Sequence, residues 1–186
     1  MHGPRAQSST VVVGTAHLES GEGNSAMRAR QLAAAFRSSA FTSAAAGAAA
    51  GVVLAGDFNW MFRDDELVLP AGYADAWRIA VGAGTRAGPG YTFDGRANKM
   101  CVGKYRDRLD RVVYRRGGSG GGGGMRLLDC AMVGTRPLPA AAATAGGSGG
   151  GGVMRRTRDF GGGEGTRDVP VYISDHFGLL ASWTFG

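Results

Sequence analysis

Lysine is almost missing from this 186-residue chain: it stands only at Lys99 and Lys104, so the formal charge of +6 comes almost wholly from arginine. The planar donor fork of arginine suits phosphate oxygens, which makes a polyanionic partner reasonable. Genome composition and solvated basic surface give the same bias, so charge alone does not choose. Cysteine is also scarce. Cys101 and Cys130 have neither zinc-ligand spacing nor a Cys-x-x-Cys arrangement, which points to ordinary reduced thiols and an intracellular setting. No apolar run approaches the roughly 20 residues that cross a bilayer, and the N-terminus lacks the charged-then-apolar layout of a signal peptide. A soluble protein with no membrane partner is expected.

Glycine is in excess, at 34 residues. Several glycines fall in runs that cannot specify regular structure, so 9–186 reads as one domain with low-complexity inserts near 117–124, 139–152 and 161–165. Neither long run is followed by Lys-Ser or Lys-Thr, and Gly103-Lys104-Tyr105 lacks a magnesium-binding hydroxyl, which excludes a phosphate-cradling P-loop.

The remaining pattern is α/β. Val11-Val12-Val13 has the composition of a buried strand and delivers His17 to its C-terminal end. Asn24 is a candidate helix cap. After it Ala29, Leu32, Ala33, Phe36 and Ala40 recur at helical spacing, with Arg28, Arg30, Gln31 and Arg37 on the other face. Ala44 to Ala50 continues the helix or serves as a linker. Strands are expected at 51–56, 91–93, 109–114, 125–133 and 178–185.

Few residues here can do chemistry. Asp57 and Asn59 directly follow an apolar strand, where a carboxylate can take a proton from water and an amide can orient that water. Gly-Asp-x-Asn is equally a turn whose side chains bond their own main chain. Asp175 and His176 stand at the entrance of the last strand, and His17 and His176 are two of only three histidines. Asp110 is embedded in an apolar strand, where a carboxylate is costly unless paired. It either holds His176 as imidazolium or forms a salt bridge with Arg108 or Arg111.

Taken in order, Thr15-Ala16-His17-Leu18-Glu19-Ser20, Arg28-x-x-Gln31-Leu32, Gly56-Asp57-Phe58-Asn59, Asp75-Ala76-Trp77, Tyr91-Thr92-Phe93-Asp94, Arg108-Leu109-Asp110-Arg111 and Ser174-Asp175-His176-Phe177-Gly178 carry a specific resemblance. The chain resembles the tyrosyl-DNA phosphodiesterases of the second type, within the endonuclease/exonuclease/phosphatase superfamily. Asn98-Lys99-Met100 resembles an element of the plant-like branch.

The resemblance implies the C-terminal half of a four-layer α/β/β/α sandwich. It also implies magnesium-assisted hydrolysis, with manganese as an alternative, of the bond joining tyrosine or a peptide to a DNA 5′ end. By position, Asp57 would activate water and Asn59 would orient it. His17 and His176 would stabilise the phosphorane, Asp110 would orient His176, and Asp175 would support the metal. Arg63, Phe93 and Ser174 would contact substrate, with Trp60 to Phe62 read as a small insertion and Phe93 replacing a more usual tryptophan. The family's domain begins with a half carrying Thr-Trp-Asn and Gln-Glu elements, the latter supplying the principal magnesium ligand. No residue before Val11 matches either. A nuclear location follows from the resemblance alone, with the cytoplasm as the alternative. Two other readings stand: a phosphodiesterase of the same fold with another substrate, and a non-catalytic half-domain that binds nucleic acid or a partner.

Overall fold

The computed structural model describes residues 10–44, 49–61, 67–84, 87–101, 103–116, 125–138, 153–159 and 164–185. They form two compact units. The first comprises residues 1–89, 109–131 and 179–186, and the second 90–108 and 132–178.

In the first unit β1 (Val11–Thr15) pairs in parallel with β2 (Gly51–Asp57). Of the strands that follow, β3 (Tyr73–Asp75) and β6 (Asp110–Arg116) complete a mixed sheet of order β1-β2-β6-β3. The run Val52-Val53-Leu54 is buried at every position because both faces of β2 are covered, as a continuous apolar strand requires. On one face α1 (Ser25–Arg37) and α2 (Ser39–Ser43) pack Leu32, Phe36 and Phe41 onto Val52, Leu54 and Val113. On the other, the sheet of β7 (Met125–Val133) and β10 (Gly178–Phe185) brings Met125 against Gly51 and the Trp183 ring to 6.2 Å from Tyr114.

The expected single helix is broken at Ser38, whose ψ of 147° is extended. The break lets Phe41 meet Phe36 edge-on at 6.2 Å and fill the space beside Gly14, which a continuous helix would carry it past. Asn24 does occupy the N-cap position, but its side chain accepts no helix N–H and instead donates to the Ser20 carbonyl. Arg28 was assigned to the polar face and is instead fully buried. Its guanidinium donates to the carbonyls of Glu19 and Gly21, which offsets the cost of burying the charge. Trp60, expected within an insertion, belongs to the core.

The helix α3 (Ala76–Gly82) follows β3 directly and is capped by Asp75, which accepts from the Arg78 N–H. Asp75 also takes Arg111 Nη1 at 3.1 Å in a buried ion pair, while Arg111 Nη2 donates to the Trp60 carbonyl. Arg111 therefore serves Asp75 and the Trp60 carbonyl.

In the second unit β4 (Phe93–Asp94) pairs with β5 (Arg106–Asp107) and β8 (Val153–Asp159) with β9 (Glu164–Pro170). Glu164 and Gly165, expected within a low-complexity insert, begin β9. The expected inserts at 117–124 and 139–152 lie outside the described residues. Cys101 and Cys130 are buried thiols, neither of them in a disulfide. Among the described residues no helix is long and apolar enough to cross a membrane.

Candidate active site

The sheet register decides which polar residues meet. Asp57 and Asp110 are partners at the end of the β2–β6 ladder, and directly opposed residues of an antiparallel pair project to the same face. Carboxylate oxygens of the two lie within 4.8 Å of each other. Two carboxylates so placed can share a cation between them. Hard oxygen donors of this kind suit a divalent ion such as magnesium.

Gly56 makes that placement available. Its φ is +136°, and a Cβ there would stand 2.1 Å from the Ala16 carbonyl oxygen. Only glycine lets β2 run this close to the segment leaving β1, where Ala16 N–H donates to Ala55 and Leu18 N–H to Asp57. Phe58 is fully buried and anchors the turn, its N–H donating to the Leu109 carbonyl. Asn59 then adopts φ 48°, which an asparagine tolerates better than most side chains.

The Asn59 N–H donates to Asp57 Oδ1 at 2.8 Å, and its side-chain amide donates to the Leu18 carbonyl at 2.9 Å. The turn reading of Gly-Asp-x-Asn thus describes the local hydrogen bonding, and Asn59 fixes the Asp57 carboxylate. His17 is carried on the segment that Asn59 holds at Leu18. Its Nε2 stands 3.6 Å from Asp57 Oδ2, with the imidazole largely exposed and the carboxylate 19% exposed. A charged imidazole there faces its counter-ion on one side and open space for an anion on the other.

Helix α1 holds the same segment from below. Besides the two Arg28 bonds, Gln31 Oε1 accepts from the Glu19 N–H at 2.8 Å. This gives Arg28-x-x-Gln31 a physical role that its spacing suggested only through resemblance. The signal for it was a charged residue three places before an amide on a helix directly following the His17 segment.

The second unit carries Phe93, Ser174, Asp175 and His176. The His176 ring stands edge-on to Phe93 at 5.2 Å, and the two residues form an isolated antiparallel bridge. Phe93 also contacts Tyr105 at 5.7 Å. Ser174 Oγ accepts from the His176 N–H and donates to Asp175 Oδ1, so serine closes the turn. Asp110 belongs to the first unit and its expected partner His176 to the second. Arg63 lies outside the described residues.

Sequence reasoning missed the support beneath the second turn. Asp94 is buried, accepts from the N–H groups of Arg96 and Ala97, and forms a two-pronged bond with Arg106 at 2.9 and 3.0 Å. Arg106 in turn stacks over the Tyr91 ring at 4.4 Å. Burial by itself would raise the Asp94 pKa. The hydrogen bonds from Arg106, Ala97 and Arg96, with the Arg106 charge, outweigh it and hold the carboxyl below its usual range. A depressed folded pKa contributes stability above the unfolded value and loses it as pH falls through the folded value. The thermal midpoint should therefore fall more steeply below about pH 4 in the wild type than in Asp94→Asn. Parallel curves in a scanning calorimeter would remove Asp94 from the acid response.

Comparisons with known proteins agree with this architecture. No curated protein sequence matches the chain. Among solved structures, truncated Caenorhabditis elegans TDP2 matches with a TM-score of 0.58 and 22% identity, covering 95% of this chain and 54% of that one. D. rerio TDP2 complexed with a single-strand DNA product matches with a TM-score of 0.59 and 24% identity, covering 91% and 54%. The chain thus spans about half the length of these structures, and at such identities the likeness establishes the α/β fold. A family model described as "Endonuclease/Exonuclease/phosphatase family" matches residues 3–176. The chain belongs to the endonuclease/exonuclease/phosphatase family.

Proposed function

We propose that the chain carries the core of a divalent-metal phosphodiesterase that acts on DNA 5′ ends, with a 5′-tyrosyl or 5′-peptidyl linkage as substrate. The observation that carries the reading is the opposed carboxylate pair Asp57 and Asp110, with His17 beside it. One of the similar structures is a TDP2 bound to a single-strand DNA product, which supports a DNA end as ligand. A nuclear location belongs to the same proposal.

Asp57 and Asp110 would hold the cation, magnesium first and manganese as an alternative, with Asp175 assigned a supporting role by resemblance. When bound, the ion would neutralise phosphate oxygens and acidify a water molecule. Asp57 takes the proton of the attacking water, and Asn59 keeps the carboxylate oriented for it. The water oxygen bonds to phosphorus as the bond to the tyrosyl oxygen breaks. The products are a 5′-phosphate and free tyrosine, whose phenolic oxygen regains a proton from solvent. His17 donates a ring N–H to a phosphoryl oxygen where negative charge builds. By resemblance His176 would have the second such role, and Phe93 and Ser174 would contact substrate.

The test is release of tyrosine from a 5′-phosphotyrosyl oligonucleotide in magnesium, with abasic-site and phospholipid substrates as alternatives. Magnesium-dependent release that stops with chelator supports the reading. Salt-sensitive DNA binding without cleavage of any substrate would replace it with a non-catalytic role.

A further inference from the structure

Resting on the phosphodiesterase reading, the geometry points to Asn98 as the positioning residue of the Ser174–His176 turn. Asn98 is fully buried, although an amide in the interior is costly unless its hydrogen bonds are met. Its carboxamide N–H groups donate to the carbonyls of Ser174 at 2.8 Å and Asp175 at 3.2 Å, and Oδ1 accepts from the Met100 N–H. One side chain 76 residues away thus fixes two successive peptide planes of the turn.

The bonds come from within the unit, whereas the side chains of Ser174 and Asp175 are exposed and His176 is half-buried. Asn98 holds the turn through its backbone carbonyls and engages none of its side chains. Cys101 adds a second donor, its thiol pointing at the Asp175 carbonyl at 2.8 Å. On the far side the Phe177 N–H donates to the Thr92 carbonyl, which ties the chain just after His176 to the strand bearing Phe93. The His176 ring rests edge-on against Phe93, while the two carbonyls that precede its backbone are held by Asn98. Asn98 touches no reacting atom in this scheme. It acts by keeping the imidazole where a phosphoryl oxygen arrives, and a misplacement of about 1 Å in such a group can lower turnover about 100-fold.

Two substitutions on the full chain separate positioning from folding. Asn98→Asp keeps the Met100 acceptor but turns two donors into an acceptor facing two carbonyls. Asn98→Ser removes both donors without adding charge. The readouts are the His176 ring resonances at fixed pH, hydrogen exchange at the Phe177 amide, and kcat and KM on the phosphotyrosyl oligonucleotide. The His17 ring resonances, in the other unit, serve as the internal control.

Expected are a shifted His176 signal and faster Phe177 exchange with the His17 signal unchanged, and kcat lowered about 100-fold at KM within about 3-fold. Unshifted His176 resonances in Asn98→Ser would overturn the proposal. So would a loss in which the His17 and His176 signals collapse together, since that marks a general folding role. If the wild type cleaves nothing, the phosphodiesterase reading fails while the resonances and exchange still decide whether Asn98 positions the turn.

Discussion

Asp57→Asn is expected to lower phosphotyrosyl cleavage by about three orders of magnitude, the scale of a lost general base. The same change should leave the fold intact or slightly stabilised. Asparagine keeps an oxygen at the position that accepts from the Asn59 N–H, so the turn loses no hydrogen bond. It also removes one of two carboxylates held within 4.8 Å of each other, a repulsion the metal-free protein must bear. Activity and stability should therefore move in opposite directions, as they do where an active site stores unfavourable charge. Steady-state kinetics and urea unfolding check the pair of effects. Cleavage within 10-fold of wild type would remove Asp57 from the mechanism, and a marked loss of stability would show that its charge serves the fold.

The largest stability effect is expected at Gly56→Ala. The added Cβ meets the Ala16 carbonyl at 2.1 Å, a backbone atom that cannot turn aside, and the φ of +136° is strained for any L side chain. A loss of about 3 kcal/mol or more follows, enough to deplete the folded state of a marginally stable domain. Gly84→Ala is the control: its φ is +72°, but a Cβ there meets nothing within 4 Å. It should cost only about 1 kcal/mol. Equal losses in chemical denaturation would mean that backbone angle, rather than the approach of β2 to Ala16, governs Gly56.

Which parts were legible in the sequence follows from which forces are local. β7 stands where a strand was expected, and β10 where the apolar alternation put it, because periodicity with burial on one face is written in consecutive residues. The Gly-Asp-Phe-Asn turn was legible for the same reason, since its glycine and asparagine mark backbone angles that other residues resist. Arg28 was misassigned because a helical pattern records only which face is charged. Its burial depends on carbonyls of the preceding segment that no periodicity announces. Asn98 and Asp94 were invisible as supports for similar reasons. Their partners lie far along the chain or take their meaning from an ion pair with Arg106. The Arg111–Asp75 pair was not legible because its partners lie 36 residues apart and meet only through the pairing of β3 with β6.

The buried clamp of Arg28 and Gln31 on Glu19 and Gly21 bears on how this chain can change length. A surface loop usually absorbs inserted or deleted residues freely, because its backbone answers only to water. The segment from His17 to Asn24 is bonded to a helix that follows it by a few residues, so its residue count is a fixed dimension of the fold. An added or lost residue there would move His17 relative to Asp57 or pull the guanidinium off its carbonyls. Insertions and deletions should therefore be filtered out of residues 17–24 as strictly as from a core strand, although the chain there runs as a connection and not as a sheet.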